Sequence, residues 1–285
     1  MSNRLRLAVH RASGDLFKLL PYDTPTRQTW AEDLLRGYAY FPLLSEFNDP
    51  FEGKLRLTDD DRASFVKRLG KAVLRIGKQR GESVSNRLAQ AERRRRQASK
   101  GQDELIERIT RRHHQRLESE VRLFCLSGTR AAPLLWSHYS NKHAGICVHF
   151  NSNMLPFAGA IEVTYDETFP ASPLLADRGS EPDAQLFVAS LLTKAKFWEY
   201  EQEYRLVSSR MANEDWDLGL SWDAEQKVAQ FNPDAITGLT LGVRISPEAR
   251  ARIVSFCRAH RPALQLEQAK LRDGRYELAF EALPP

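Results

Sequence analysis

Apolar positions fall in short, separated blocks along the chain, and their spacing predicts short strands and helices rather than one repeating unit. Residues 15–20 (DLFKLL) read as an apolar strand stopped by Pro21. Residues 26–35 carry Trp30, Leu34 and Leu35 at helical spacing, with Gly37 as a C-terminal cap. Residues 38–44 (YAYFPLL) read as an aromatic strand, and Pro42 puts it at a sheet edge or at its own end. Asn48-Asp49-Pro50 then supplies turn chemistry inside the loop 45–53.

Residues 61–120 differ in texture. Phe65, Leu69, Val73 and Ile76 step along one helical face, and Leu105, Ile109 and Leu117 along a second, with a polar break at 97–102. The strand pattern returns at 121–126 (VRLFCL), 145–150 (GICVHF), 160–165, 199–207 and 236–243. Helical patterns occupy 133–138, 183–197 and 247–260, and residues 263–280 add one or two edge strands. Strands and helices without regular alternation predict an α+β fold with a mixed, largely antiparallel sheet core and flanking helices. No linker rich in Pro or Gly separates the helical stretch, so residues 1–285 are expected to form one domain with 61–120 as a basic helical insertion.

Composition narrows the class. With 42% hydrophobic and 28% charged residues the chain can bury a sizeable core, and no apolar run approaches the roughly 20 residues that span a bilayer. No secretory signal is expected in the first 20 residues, which makes the cytoplasm the expected compartment. Cys125, Cys147 and Cys257 are odd in number and widely spaced, as buried thiols in a reducing compartment would be.

The net charge of +5 is uneven. Residues 61–120 hold 17 Lys and Arg against 8 Asp and Glu, a net of +9 that leaves −4 for the rest. Its densest point is Arg93-Arg94-Arg95-Arg96, followed by Arg111 and Arg112. This segment is either a solvated helical face, locally paired with Glu92, Glu104 and Glu107, or a surface that binds nucleic-acid phosphates.

Three stretches carry candidate chemistry. If residues 197–206 (FWEYEQEYRL) are extended, Glu199, Glu201, Glu203 and Arg205 share one face and Trp198, Tyr200, Tyr204 and Leu206 the other. Neighbouring carboxylates on that face, roughly 7 Å apart, perturb each other while an adjacent Arg keeps one ionised. The alternative is the salt-bridged outer face of a half-buried sheet. The loop Phe47-Asn48-Asp49-Pro50-Phe51-Glu52 sets an amide and acids between two aromatic rings, which suits either a pocket for a planar ring and a ribose or a simple turn cap. Trp136, His138, Tyr139 and His143 offer pocket-lining groups. The Ser137-His138 neighbours lack the glycines of a nucleophile elbow, and the spacing of His138, His143 and His149 does not suit a metal, so no metal is expected. No phosphate-binding glycine loop is present.

Taken together, Phe-Asn-Asp-Pro-Phe-Glu (47–52), Phe-Cys-Leu-Ser (124–127), Leu-Trp-Ser-His-Tyr with a trailing His-Ala-Gly (135–145), the stretch from Lys194 to Arg205 and a late Leu-Gly-Val (241–243) resemble a bacterial family known as domain of unknown function 2971, over residues 15 to about 280. That family implies no established activity. Glu201-Gln202-Glu203 is also similar to the Glu-x-Glu of ADP-ribosyltransferase folds, with Tyr40 to Asn48 on the nicotinamide side and Lys18 or Tyr22 in place of the early His or Arg. That likeness implies NAD as a possible substrate, Glu203 as the carboxylate that stabilises an oxocarbenium-like transition state, Glu201 as an orienter, Arg205 as an anion partner, and Tyr40 and Asn48 as nicotinamide or ribose contacts. The expected function is therefore an NAD-using transferase or glycohydrolase that serves as a toxin or phage-defence effector. The alternatives are a nucleic-acid-binding or nuclease-type effector using residues 61–120, and a non-enzymatic sensor that binds a neighbouring protein.

Overall fold

The structure is a computed structural model, which describes residues 14–58, 62–100, 102–173, 188–209, 218–223, 225 and 227–284. Strand β1 (Asp15–Leu20) leads through Pro21 into helix α1 (Pro25–Leu35), capped by the Thr24 side chain, which accepts the Arg27 N–H. β2 (Tyr38–Tyr40) follows Gly37, whose φ is +97° and whose place would put any Cβ 2.5 Å from the Phe231 carbonyl; only glycine fits. Next come β3 (Arg56–Thr58), α2 (Arg62–Gln79), α3 (Val84–Lys100) and α4 (Gln102–Glu120). β4 (Val121–Ser127), α5 (Pro133–Tyr139), β5 (Ile146–Asn151), β6 (Ile161–Glu162) and β7 (Thr164–Asp166) continue the chain. After β8 (Ala171–Pro173) and β9 (Thr193–Ala195), a 3-10 turn (Lys196–Glu201) enters β10 (Glu203–Ser209). β11 (Ser221–Trp222), β12 (Val228–Gln230), β13 (Ile236–Leu241), α6 (Pro247–His260), β14 (Gln265–Leu271) and β15 (Leu278–Ala282) follow.

The described residues divide into two compact units, one built from 47–119 and 166–195, the other from 14–46, 120–165 and 196–284. In the second unit an eight-stranded sheet runs in the order β15-β14-β13-β5-β1-β4-β10-β6. Every pairing is antiparallel except β13 with β14, where α6 makes the crossover that a parallel pair needs. This is the α+β class that the pattern predicts. One sheet face, through Leu16, Phe124, Leu126, Ile146, Val148, Phe150, Leu239 and Leu241, packs with α1 and α6 into the main core. The opposite face meets α5 through Leu19, Cys147, Leu135 and the fully buried Trp136. A small sheet, β11-β12-β2, leaves β2 at its edge, where Pro42 just beyond the strand costs no ladder bond.

Four expectations change. Residues 38–44 are strand only to Tyr40: Pro42 has no N–H to continue the pairing with β12, Leu43 makes an isolated antiparallel bridge to Arg122, and Leu44–Glu46 turns as 3-10. Trp30 does not face the core: it is 67% exposed, and the buried polar residue of α1 is Glu32, held by Tyr22 and Arg252. Among the described residues of 61–120 there are three helices rather than two. Of the helix expected at 183–197, residues 183–187 lie outside the described residues, 188–192 are helical, and Thr193–Ala195 is strand.

In the first unit, β3 and β8 pair in parallel, and α2 and α3 form an antiparallel hairpin. A Cβ at Gly70 would collide with the Arg95 guanidinium, and one at Gly77 would lie 2.6 Å from Cγ of Arg87. With Ala91 buried between them on α3, these positions form a small-residue seam that lets two arginine stems lie against α2. Gly70→Val is therefore expected to destabilise the hairpin by about 1–3 kcal/mol through overpacking. Faster amide exchange across residues 62–100, with the eight-stranded sheet unchanged, would check it.

Candidate functional site

The register of the eight-stranded sheet places two polar rows on the face that α5 covers. Residues paired directly across strands share a face. One row runs Glu203, Ser127, Phe17, His149, and the next runs Arg205, Cys125, Leu19, Cys147, Thr240, Glu267. Polar groups thus stand at both ends of each row with apolar groups between.

At the β10 end, Arg205 is fully buried and Glu203 is 3% exposed. The guanidinium grips the carboxylate with two bonds, Nε to Oε1 at 2.7 Å and Nη2 to Oε2 at 3.1 Å. This fork is the geometry in which a buried ion pair holds its charge. The Glu203 N–H donates to the Tyr165 hydroxyl at 2.7 Å, fixing the start of the strand. On the neighbouring strand, burial holds the Cys125 thiol well above its ordinary pKa and the Glu203 charge pushes it further, so Cys125 is a thiol and no nucleophile. Lys18 donates to the Cys125 carbonyl at 2.8 Å and lies over the Phe124 ring. Burial lowers its pKa, against the opposing pull of Cys125 and Glu203.

Glu201 does not lie on the strand with Glu203. Residues 196–201 form the 3-10 turn, and Gln202, at φ +45°, swings the chain into β10. The expected single face of Glu199, Glu201, Glu203 and Arg205 therefore reduces to Glu203 and Arg205. Glu199 points outward and pairs with Lys196 at 2.5 Å. Glu201 is 3% exposed, its Oε1 accepts the Tyr139 hydroxyl at 2.7 Å, and its carbonyl meets Ser127 Oγ at 2.5 Å. The turn also groups rings: Trp198 lies 5.9 Å from His138, 5.7 Å from Phe197 and 6.0 Å from Tyr200, and Phe197 is 63% exposed.

The other predicted residues divide by unit. In the second, Trp136 is a core residue whose Nε1 donates to the Arg130 carbonyl at 2.7 Å. His143, at φ +72°, is half-buried, and its backbone closes the turn before β5; burial, then Arg244, lowers its pKa. Tyr40 is exposed and donates to Glu46 at 2.7 Å. In the first unit, the Asp49 carboxylate caps its own turn by accepting the Phe51 N–H, Asn48 is exposed, and Phe47 is half-buried. Glu52 is buried and pairs with buried Lys194 at 3.8 Å, while its carbonyl lies 3.3 Å from Nε2 of His114. Arg93, Arg94, Arg96, Arg111 and Arg112 are exposed, with Arg96 paired to Glu92 and Arg111 to Glu107.

A second polar cluster, at the far end of the rows, escaped the sequence reading. Arg130 reaches from the loop after β4 to Glu267, Thr240 (2.7 Å) and His149 (3.0 Å), with its guanidinium over the rings of Phe280 and Phe17. Arg130 can only donate, so Nε2 of His149 accepts and its proton sits on Nδ1. Burial, then the Arg130 charge, lowers the His149 pKa to about 4. Burial alone would raise Glu267, but Arg130 and the Thr240 hydroxyl hold it below the usual carboxylate value. One signal was available in the sequence. Gly238 interrupts an apolar strand, and a Cβ there would lie 2.6 Å from Nδ1 of His149.

Comparison with protein families matches residues 135–206 to a family described as protein of unknown function (DUF2971), a segment that runs from α5 into β10 and includes Tyr139, Glu201, Glu203 and Arg205. Comparison with curated proteins and with solved structures gives no match. Among the described residues no helix is long and apolar enough to cross a membrane.

Proposed function

We propose that the second unit is an enzyme core that breaks the N-glycosidic bond of a nicotinamide nucleotide, with NAD as substrate and water or a nucleophilic acceptor taking the ribosyl group. The observation that carries this reading is the pair of carboxylates flanking Gln202, each buried and each held by a different partner. In the reaction the bond between ribose C1′ and the ring nitrogen breaks, its electrons leave with nicotinamide, and positive charge gathers on the sugar. Glu203, kept ionised by Arg205, faces that charge; Glu201, oriented by Tyr139, takes the proton of the attacking group. The rings of His138, Phe197 and Trp198 suit a planar leaving group. In a cell the reaction would deplete NAD, which is the basis of an effector role.

The experiment is incubation of the purified protein with NAD and chromatography of free nicotinamide, with and without protein and nucleic-acid acceptors. Release is expected, falling about tenfold or more in Glu203→Gln and by a smaller factor in Tyr139→Phe. Absence of release under every condition, or release that Glu203→Gln leaves unchanged, would overturn the proposal.

A further inference from the structure

The basic charge of residues 61–120 is not spread over its three helices. Helices α2 and α3 together hold twelve Lys and Arg against the single acid Glu92, a net of +11. Helix α4 holds four Arg against five Asp and Glu, a net of −1. The antiparallel hairpin is thus a strongly cationic body about 27 Å long on its 18-residue arm, at roughly 1.5 Å per residue, and its neighbour in the chain adds no net positive charge.

Packing sorts the cations further. Arg87 and Arg95 lie against the Gly77 and Gly70 positions of α2, where they fill the seam between the helices. Lys67, Lys71 and Lys78 on α2, Arg80 just after it, and Arg93 and Arg94 on α3 are exposed. Arg96 is exposed as well, with Glu92 offsetting part of its charge. Exposed surface ion pairs of this kind contribute little, so that carboxylate is readily exchanged for a stronger anion.

We infer that the α2–α3 hairpin binds the phosphate backbone of nucleic acid through Lys67, Lys71, Lys78, Arg93, Arg94 and Arg96. Arg95 serves the hairpin's packing, and Arg111 and Arg112 on α4 take no part. A repeating polyanion fits this surface because its cations extend along a helix rather than converging on one point, and because neutralising phosphates releases condensed counterions. Lys and Arg side chains spread along a helix contact phosphates, which carry no sequence information, so affinity is expected to depend on charge density and not on sequence.

The test uses the full chain with fluorescein-labelled 30-mers: duplex DNA, duplex RNA and single-stranded DNA, titrated by anisotropy between about 50 and 300 mM salt. Binding is expected to weaken steeply with salt. The triple variant Arg93→Gln, Arg94→Gln, Arg96→Gln is expected to lose about tenfold or more in affinity and to lower the log–log salt slope by about 2–3, at roughly 0.9 per phosphate contact. Arg112→Gln is expected to leave both unchanged, and circular dichroism of each variant separates lost binding from lost helix. Absent or salt-insensitive binding overturns the inference, as does equal loss in Arg112→Gln. Binding to phosphatidylserine vesicles without binding to any 30-mer overturns it too. Nicotinamide release does not enter this experiment, so the two proposals stand or fall separately.

Discussion

Replacing Arg205 by methionine is expected to destabilise the second unit by about 3–5 kcal/mol, the cost of leaving a charge buried after removing its partner. Arg205 is fully buried on β10, between β4 and β6, and Glu203 beside it has almost no access to water. Cys125, opposite Arg205 on β4, is a protonated thiol and cannot replace the guanidinium as a counter-charge. The double change Arg205→Met with Glu203→Leu removes both charges and keeps the volume, so it is expected to recover most of the loss. Urea unfolding followed by tryptophan fluorescence gives the three values needed for a double-mutant cycle. A recovered double variant would show that the stability of the fold does not require this ion pair. A single-variant loss under about 1 kcal/mol would mean that other neighbours, Lys18 among them, balance the Glu203 charge once the guanidinium is gone, or that the carboxyl carries no charge in the folded chain.

The same stretch shows where sequence reading succeeds and where it fails. β4, α5, β5 and α6 lie within a residue or so of their expected positions, because each combines a clear period with a local stop or start: Pro133 and Pro247 begin helices, and Ser246 caps the second. Residues 199–207 alternate as well as any strand, yet Lys196–Glu201 is a 3-10 turn. The alternation of Glu and Tyr is equally compatible with a tight turn whose acids have separate partners, and a positive φ at Gln202 has no signature in the letter Q. Glu32 illustrates the long-range case: its burial depends on Arg252, 220 residues away, which no local window reaches.

The motif stretches were legible as residues but not as partners. Glu52 meets Lys194 in the first unit. In the second, Ser127 meets the Glu201 carbonyl, Tyr139 meets its carboxylate, and Gly242 comes so close to the His143 and Gly145 carbonyls that a Cβ would collide with them. Each of the five stretches therefore contributes to a specific contact with another. That is a physical reason for these residue types to occur together, independent of what the protein acts on. The Arg130 cluster draws on a loop and three strands, with one residue from each, so nothing in the sequence groups its members.

That cluster sets the second large effect, a loss of roughly 3 kcal/mol of stability as the pH falls from about 6.5 to about 4. His149 takes a proton near 6.5 when unfolded and only near about 4 when folded. Between those values the unfolded chain binds more protons, so stability falls as pH falls, at about 1.36 kcal/mol per unit of pKa difference, and is fully present above 6.5. The physical cause is geometric. Protonating Nε2 would turn an acceptor into a donor facing the Arg130 guanidinium, with Thr240, Phe17 and Gly238 leaving it no room to turn. Glu267 opposes the loss in part, since its charge favours the imidazolium, and Arg130 with the Thr240 hydroxyl holds its own pKa below the usual carboxylate value. Other carboxylates titrate near the lower end, so the quantity to measure is the difference between wild type and His149→Gln in urea unfolding at pH 7, 6, 5 and 4. The wild type is expected to lose about 3 kcal/mol more than the variant across that range. Parallel curves would mean that His149 is protonated in the folded protein at an ordinary pH, and that Arg130 is held by Glu267 and Thr240 without it.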